Sequence, residues 1–162
     1  MSSLWTENIE MPEFPTLEKD IRTQVLIIGG GMAGVLCAYF LQQAGVDYCL
    51  LEKARICQGV TGHTTAKITA QHGLIYEKSL QSMGQERAEL FLKANLRAVE
   101  NYKSLGRFLD CDMEETDSYL YSVRERRKLE SEIQALGSLG FQADYTEDTE
   151  LPFEVEGAIR FP

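Results

Sequence analysis

Four branched apolar residues, VLII at positions 25–28, run directly into GGGMAG, and this switch from an unbroken apolar run to glycine is the sharpest pattern along the chain. A short β-branched run without polar alternation suits a strand buried on both faces, which predicts such a strand over Gln24 to Ile28. From Met32 to Ala44 the spacing becomes helical. Val35, Leu36, Tyr39 and Phe40 recur at that spacing, Gln42 and Gln43 come late, and Gly45 offers a left-handed stop, so one amphipathic helix is predicted. Tyr48 to Leu51 reads as a second buried strand, ending on Glu52.

Residues 59–73, GVTGHTTAKITAQHG, contain no helical pattern and read as a loop. Helical patterns return over 74–83 and 85–109, split at Gly84, and the second carries Phe91, Ala98, Tyr102, Leu105 and Leu109 on one face, most simply a core stripe. Tyr119, Tyr121 and Val123 alternate with Leu120 and Ser122 as in a strand. Ser122 and Glu125 match the capping box that opens a helix, here expected to run to about Leu136 and to end at Gly137 and Gly140. Phe141 to Tyr145 and Ala158 to Phe161 complete the strands, on either side of an acidic loop with Glu147, Asp148 and Glu150. Before residue 20, Pro12 and Pro15 interrupt a stretch without periodicity; a frayed terminus and an anchor through Trp5 and Phe14 are both open readings of it.

Composition narrows the function classes. Sixteen basic against twenty-five acidic residues leave a net charge of −9, which repels phosphate backbones and anionic lipid. Nucleic acid and membrane are therefore not expected partners. Residues 25–41 are free of charge, but Gly29, Gly30, Gly31 and Gly34 cluster at one end, where a strand must turn into a helix, and argue against a membrane helix. The acidic N-terminal stretch lacks the basic start and apolar centre of an export signal. Cys37, Cys49, Cys57 and Cys111 form no Cys-x-x-Cys pair and no zinc-finger spacing; reduced thiols in a cytoplasmic protein fit them best, with Cys37 and Cys49 as packing residues and no metal site.

Gly29, Gly31 and Gly34 have G-x-G-x-x-G spacing, and each position has its own physical reason. The first permits a tight turn, the second lets a pyrophosphate approach the backbone, and the third lets the helix lie close on the strand. Phosphate then sits on the helix N-terminus, beside Met32 and Ala33, where unpaired N–H groups and the helix dipole favour negative charge. The context supports the motif: a strand precedes it, a helix comes after it, and Glu52 lies 18 positions beyond Gly34, where a carboxylate can accept hydrogen bonds from ribose hydroxyls. That charge disfavours NADP.

FAD and NAD share this cradle, so the residues after Glu52 and Lys53 decide between them. An NAD domain commonly continues into further strand–helix alternation, whereas this chain offers Gly59, Thr61, Gly62, Thr64, Thr65 and Lys67, hydroxyls and a cation suited to a longer flavin cofactor. An ordinary threonine-rich loop with a surface lysine has the same spacing.

The runs VLIIGGGMAGVLCAYFLQQAGVDYCLLEK and GVTGHTTAKITAQHGLIY, with the closing GAIRFP, resemble the N-terminal part of FAD-dependent oxidoreductases of the D-amino-acid oxidase and glycine oxidase superfamily. The nearest resemblance is to a bacterial branch whose full-length members carry a C-terminal Rieske iron–sulfur domain. The resemblance implies that Gly29, Gly31, Gly34 and Glu52 hold the ADP half of FAD, that Thr64, Thr65 and Lys67 lie near the pyrophosphate or flavin, and that Gln71 and His72 approach the flavin ring. For His72 a hydrogen-bonded structural role is equally open.

The expected architecture is α/β: an irregular extension over 1–22, a Rossmann-like FAD-binding βαβ segment over 23–75, and the start of an α+β substrate domain over 76–162. The family's proteins are longer, so the chain reads as an N-terminal fragment whose unfinished sheet edge invites self-association. The expected activity is hydride transfer from a small amine, amino acid or related substrate to flavin. The alternatives are an NAD-dependent dehydrogenase and a non-catalytic binding module that keeps the nucleotide cradle.

Overall fold

The computed structural model describes residues 10–162, so Trp5 lies outside the described residues. The chain divides between Lys67 and Ile68 into two compact units, which assigns the segment 68–75 to the second.

In the first unit the VLII run forms β1 (Val25–Ile28), α1 spans Met32–Gln43, and β2 spans Tyr48–Leu51. The strands are parallel, pairing Val25 with Tyr48 through to Ile28 with Leu51. A parallel pair needs a crossover, and α1 supplies it. Gln24 and Asp47 close one end of the pair reciprocally, each side chain accepting the other's backbone N–H at 3.2 and 3.3 Å. At the other end the Gly29 N–H donates to the Leu51 carbonyl at 2.8 Å. Gly45, at φ +67°, sits just past α1 in the left-handed conformation that stops it.

Several expectations need correction here. β1 is not buried on both faces: Ile27 is buried, while Leu26 is 52% and Ile28 83% exposed, because among the described residues α1 covers one face of a two-stranded sheet. β2 is half-buried throughout. Nor is α1 amphipathic. Only Ala38 is buried on it, and Val35, Tyr39 and Phe40 are exposed. A helix apolar on all sides offers more apolar surface than two strands can cover. Cys37 is exposed on this helix rather than packed. Phe14 is 68% exposed rather than packed as an anchor; among the described residues of the extension, Glu13 forms an exposed pair with Arg55 at 3.5 Å.

The second unit comprises α2 (Tyr76–Met83), α3 (Gln85–Gly106), β3 (Ser118–Ser122), α4 (Arg126–Ser138), β4 (Asp144–Thr146) and β5 (Gly157–Phe161). Its three strands form an antiparallel sheet in the order β3-β5-β4. Period-2 alternation puts Leu120, Ile159 and Tyr145 in one row against the helical core, and Tyr119, Arg160 and Asp144 in a row on the other face. There the Arg160 guanidinium pairs with Asp144 at 2.6 Å and Asp117 at 3.3 Å. The core gathers Tyr76, Ala88, Leu92, Leu129, Leu136, Ile159 and Phe161.

The stripe expected on α3 is displaced around the helix. Ala88 and Leu92 are buried with Leu96 packed on the core, whereas Phe91 and Ala98 are exposed, Tyr102 and Leu105 only half-buried, and Leu109 exposed beyond the helix, which ends at Gly106 rather than 109. Apolar periodicity set the helix but not which of its two apolar stripes met a partner. Gly137 lies inside α4, and the left-handed residue beyond it is Gly140 at φ +81°. Ser122 accepts the Glu125 N–H at 2.9 Å as in a capping box, but the Glu125 carboxylate pairs with Lys128 at 2.6 Å, and the helix begins at Arg126.

Candidate functional site: the glycine turn

Between β1 and α1 the chain reverses within three residues. Gly29 has φ +107°, a region that side-chain-bearing residues rarely occupy, so the turn requires glycine. A methyl group on Gly34 would collide with the Gly29 carbonyl oxygen and meet Ile27 Cγ2 at 3.4 Å. Helix and turn approach this closely only because position 34 has no side chain. Gly30 is packed differently: a methyl there would meet Ile56 Cγ2 at 2.8 Å and Glu52 Cβ at 3.1 Å. Gly31 is uncrowded and lines the adjacent cavity. It has ordinary φ of −79°, and a methyl there would meet only Thr61 Oγ1, at 3.4 Å.

The first intrahelical bond of α1 runs from Val35 N–H to Gly31 C=O at 3.0 Å, so the amides of Gly31, Met32, Ala33 and Gly34 have no acceptor within the helix. Thr61 meets one of these needs, its hydroxyl accepting the Met32 N–H at 3.0 Å. The hydroxyl sits on a single 3₁₀ turn, Val60–His63, which corrects the expectation of a loop without helical structure and is closed by His63 Nδ1 against the Gly59 carbonyl at 2.9 Å. The remaining amides, at the positive end of a helix dipole with no acidic residue in its first turn, can accept an anionic group.

Glu52 lies at the end of β2 and faces back to the turn. One carboxylate oxygen accepts the Gly30 N–H at 2.7 Å and the other the Ala54 N–H at 3.0 Å. These two bonds, led by that from Gly30, hold its pKa below the ordinary carboxylate value. The Gly30 carbonyl in turn accepts the N–H of Cys57 at 2.8 Å, with Cys57 in the left-handed region at φ +56°. Around this arrangement opens a cavity of about 440 Å³ lined by Gly30, Gly31, Glu52, Lys53, Arg55, Cys57 and Thr61.

The structure therefore gathers Gly31, Glu52, Lys53 and Thr61 at one cavity, while Gly29 and Gly34 shape the turn without lining it and Met32 and Ala33 are exposed on the first turn of α1. Thr64, Thr65 and Lys67 do not line it. All three are exposed farther along the loop, where Thr64 Oγ1 accepts the N–H of Ala66 at 3.2 Å. Sequence reasoning missed Arg55 and Cys57. A cation three positions past Glu52 was a usable signal for Arg55; nothing in the sequence marks the backbone of Cys57.

Gln71 and His72 belong to the second unit. Gln71 is buried, its amide nitrogen donating to the Gly73 carbonyl and to Glu132 Oε1 at 3.4 Å. His72 is exposed. Glu132, which no sequence pattern singled out, is fully buried. Its Oε1 accepts the N–H groups of Ile75 and Tyr76 at 3.0 and 2.9 Å, and its Oε2 that of Glu77 at 2.9 Å. A carboxylate on α4 thus caps the first turn of α2. Among the described residues no helix is long and apolar enough to cross a membrane, and no group of three or more His, Cys, Asp or Glu side chains could hold a metal ion.

A strand, a glycine turn on a helix N-terminus and an acidic strand end define a nucleotide-binding class of site, and comparison with known proteins makes the class specific. The profile of the FAD dependent oxidoreductase family, DAO, matches residues 24–162, and the chain belongs to this family. It is 36% identical over 152 residues to YhfW of Bacillus subtilis, whose name describes a Rieske 2Fe-2S iron-sulfur protein; the match covers 91% of this chain and 30% of that protein. It is 43% identical over 67 residues to mitochondrial dimethylglycine dehydrogenase of Rattus norvegicus, covering 41% of this chain and 8% of that one. With gamma-glutamylputrescine oxidoreductase of Escherichia coli it shares 30% over 101 residues, 61% of this chain and 24% of the other. The chain thus spans less than a third of the length of each of these relatives. No solved structure matches it. Family membership does not favour an NAD-dependent dehydrogenase or a non-catalytic module.

Proposed function

We propose that this chain supplies the ADP-binding part of a Rossmann-like FAD site in an oxidoreductase acting on a small amine, amino acid or related substrate. The observation that carries the reading is the Gly31 opening: a position free of side chain, beside unpaired helix amides and a cavity that ends on the Glu52 carboxylate. These features fit a dinucleotide, since backbone can reach a pyrophosphate only where no Cβ intervenes. Gly31, Ala33 and Gly34 bind phosphate through backbone amides, Thr61, which holds the Met32 N–H, adds a hydroxyl, and the lone pairs of Glu52 not used on Gly30 and Ala54 accept ribose hydroxyls. Lys53 and Arg55 offset the phosphate charge. By the family resemblance Thr64, Thr65 and Lys67 lie near the pyrophosphate or flavin.

Bound FAD supplies the hydride acceptor, and the protein's part is binding and orientation. The amine-related names among the relatives support the substrate class, and YhfW supports a Rieske 2Fe-2S cluster as the next electron acceptor in a longer protein. The uncovered edge of the β1–β2 sheet is the surface proposed for self-association, which the mass of the chain in solution tests. The cofactor assignment is tested by the visible spectrum of the purified protein after FAD is added and the excess removed. Paired flavin bands that Gly31→Val abolishes are the expected result; undiminished flavin in that variant overturns the assignment.

A further inference from the structure

We propose that Glu52 is a positioning residue for the phosphate-binding turn itself, in addition to any contact with ribose. The inference rests on the reading of this turn as a pyrophosphate site and adds a second duty to a residue already in it.

Gly30 is held from both sides. Its N–H donates to Glu52 Oε2 at 2.7 Å, its carbonyl accepts the Cys57 N–H at 2.8 Å, and its Cα faces Ile56 and the Glu52 stem with no room for a methyl group. The second Glu52 oxygen takes the Ala54 N–H at 3.0 Å, so one carboxylate ties the glycine turn to the chain leaving β2. Each peptide plane is rigid, so the Glu52 bond fixes the Gly29–Gly30 plane and the Cys57 bond fixes the Gly30–Gly31 plane, which carries the Gly31 N–H. With both planes held, φ and ψ of Gly30 are set, and Glu52 contributes the half of this constraint that aims the turn at an anion. Charge-assisted hydrogen bonds from backbone N–H are among the stronger and more directional ones available for this.

The two duties of Glu52 predict opposite signs for a ligand without ribose. Were Glu52 only a ribose ligand, removing its negative charge would leave inorganic pyrophosphate binding unchanged or tighten it, since a nearby carboxylate repels an anion. As the residue that positions the turn, its removal weakens pyrophosphate binding, by about tenfold where a charged hydrogen bond is lost. Calorimetric titration of the protein and of Glu52→Ala with inorganic pyrophosphate, then with ADP, separates the cases. Expected are weaker pyrophosphate binding, a larger loss for ADP, and partial recovery in Glu52→Gln, whose one carbonyl oxygen can still accept one of the two amides. Faster hydrogen exchange at the Gly30 amide accompanies the loss and reads the turn without any ligand. Unchanged or tighter pyrophosphate binding in both variants overturns the proposal and leaves Glu52 a ribose ligand alone. If Glu52→Ala does not fold, Glu52→Gln decides by the same sign. Failure of the unsubstituted protein to bind either FAD or pyrophosphate overturns the nucleotide reading and this inference with it, which is distinguishable from an effect confined to the variants.

Discussion

Glu132 accepts the backbone N–H of Tyr76 at 2.9 Å across 56 positions of sequence, with both residues fully buried. The same carboxylate takes the amides of Ile75 and Glu77, while the Tyr76 hydroxyl donates to the Ala70 carbonyl. A single side chain of α4 thus does for α2 what an N-cap residue usually does from within the sequence; Ile75, at the cap position, has no side-chain oxygen to offer.

Glu132→Ala should destabilise the second unit by about 3–5 kcal/mol, because it leaves the buried amide of Tyr76 and the part-buried amides of Ile75 and Glu77 unpaired at a helix N-terminus and opens a cavity. Urea unfolding monitored by far-UV circular dichroism measures this. A loss under about 1 kcal/mol would show that water replaces the carboxylate at little cost.

Burial, with the Glu132 charge beside it, pushes the Tyr76 hydroxyl up from 10 to about 12. The folded state therefore holds this proton more tightly than the unfolded chain. The resulting stability is fully present below pH 10 and is lost as pH rises through about 12. Unfolding free energies of the protein and of Tyr76→Phe, compared between pH 9 and 12, should converge across that interval; a constant difference refutes the shift. Glu52 acts with the opposite sign. Its lowered pKa stabilises above the ordinary value of 4.5, and the contribution disappears as pH falls through the lowered one.

Gly31 and Gly34 should separate binding from folding. Gly34→Ala drives a methyl into the Gly29 carbonyl and should cost about 1–3 kcal/mol of stability, seen as a lower thermal midpoint. Gly31→Ala meets only the Thr61 hydroxyl at 3.4 Å, so the fold should hold while FAD retention falls. Equal loss of stability in the two variants contradicts this division of labour.

Thr61→Val keeps the shape of the side chain but removes the acceptor of the Met32 N–H. About 0.5–1.5 kcal/mol of FAD binding should be lost if the hydroxyl also serves the phosphate, measured by titration of apoprotein. Unaltered affinity would make Thr61 a helix cap and nothing more.

Local sequence was enough to specify the elements and the backbone of the glycine turn. Apolar runs, helical spacing and Gly45 placed β1, α1 and β2 to within a residue or two, and G-x-G-x-x-G spacing found Gly29, Gly31 and Gly34, because these depend on backbone conformation that nearby residues dictate. Which faces are covered was settled only by the packing of distant elements. Leu26, Ile28 and Phe40 read as buried and are exposed, and the core of α3 lies at Ala88 and Leu92, since burial depends on what packs opposite and not on the residue itself. Chain folding also chose the partners of the carboxylates. Glu52 turns to Gly30, 22 positions away, and Glu132 to the start of α2, more than 50 positions away. A carboxylate's hydrogen-bonding capacity is written in the sequence, but the amide it meets is set only when the chain has folded back on itself.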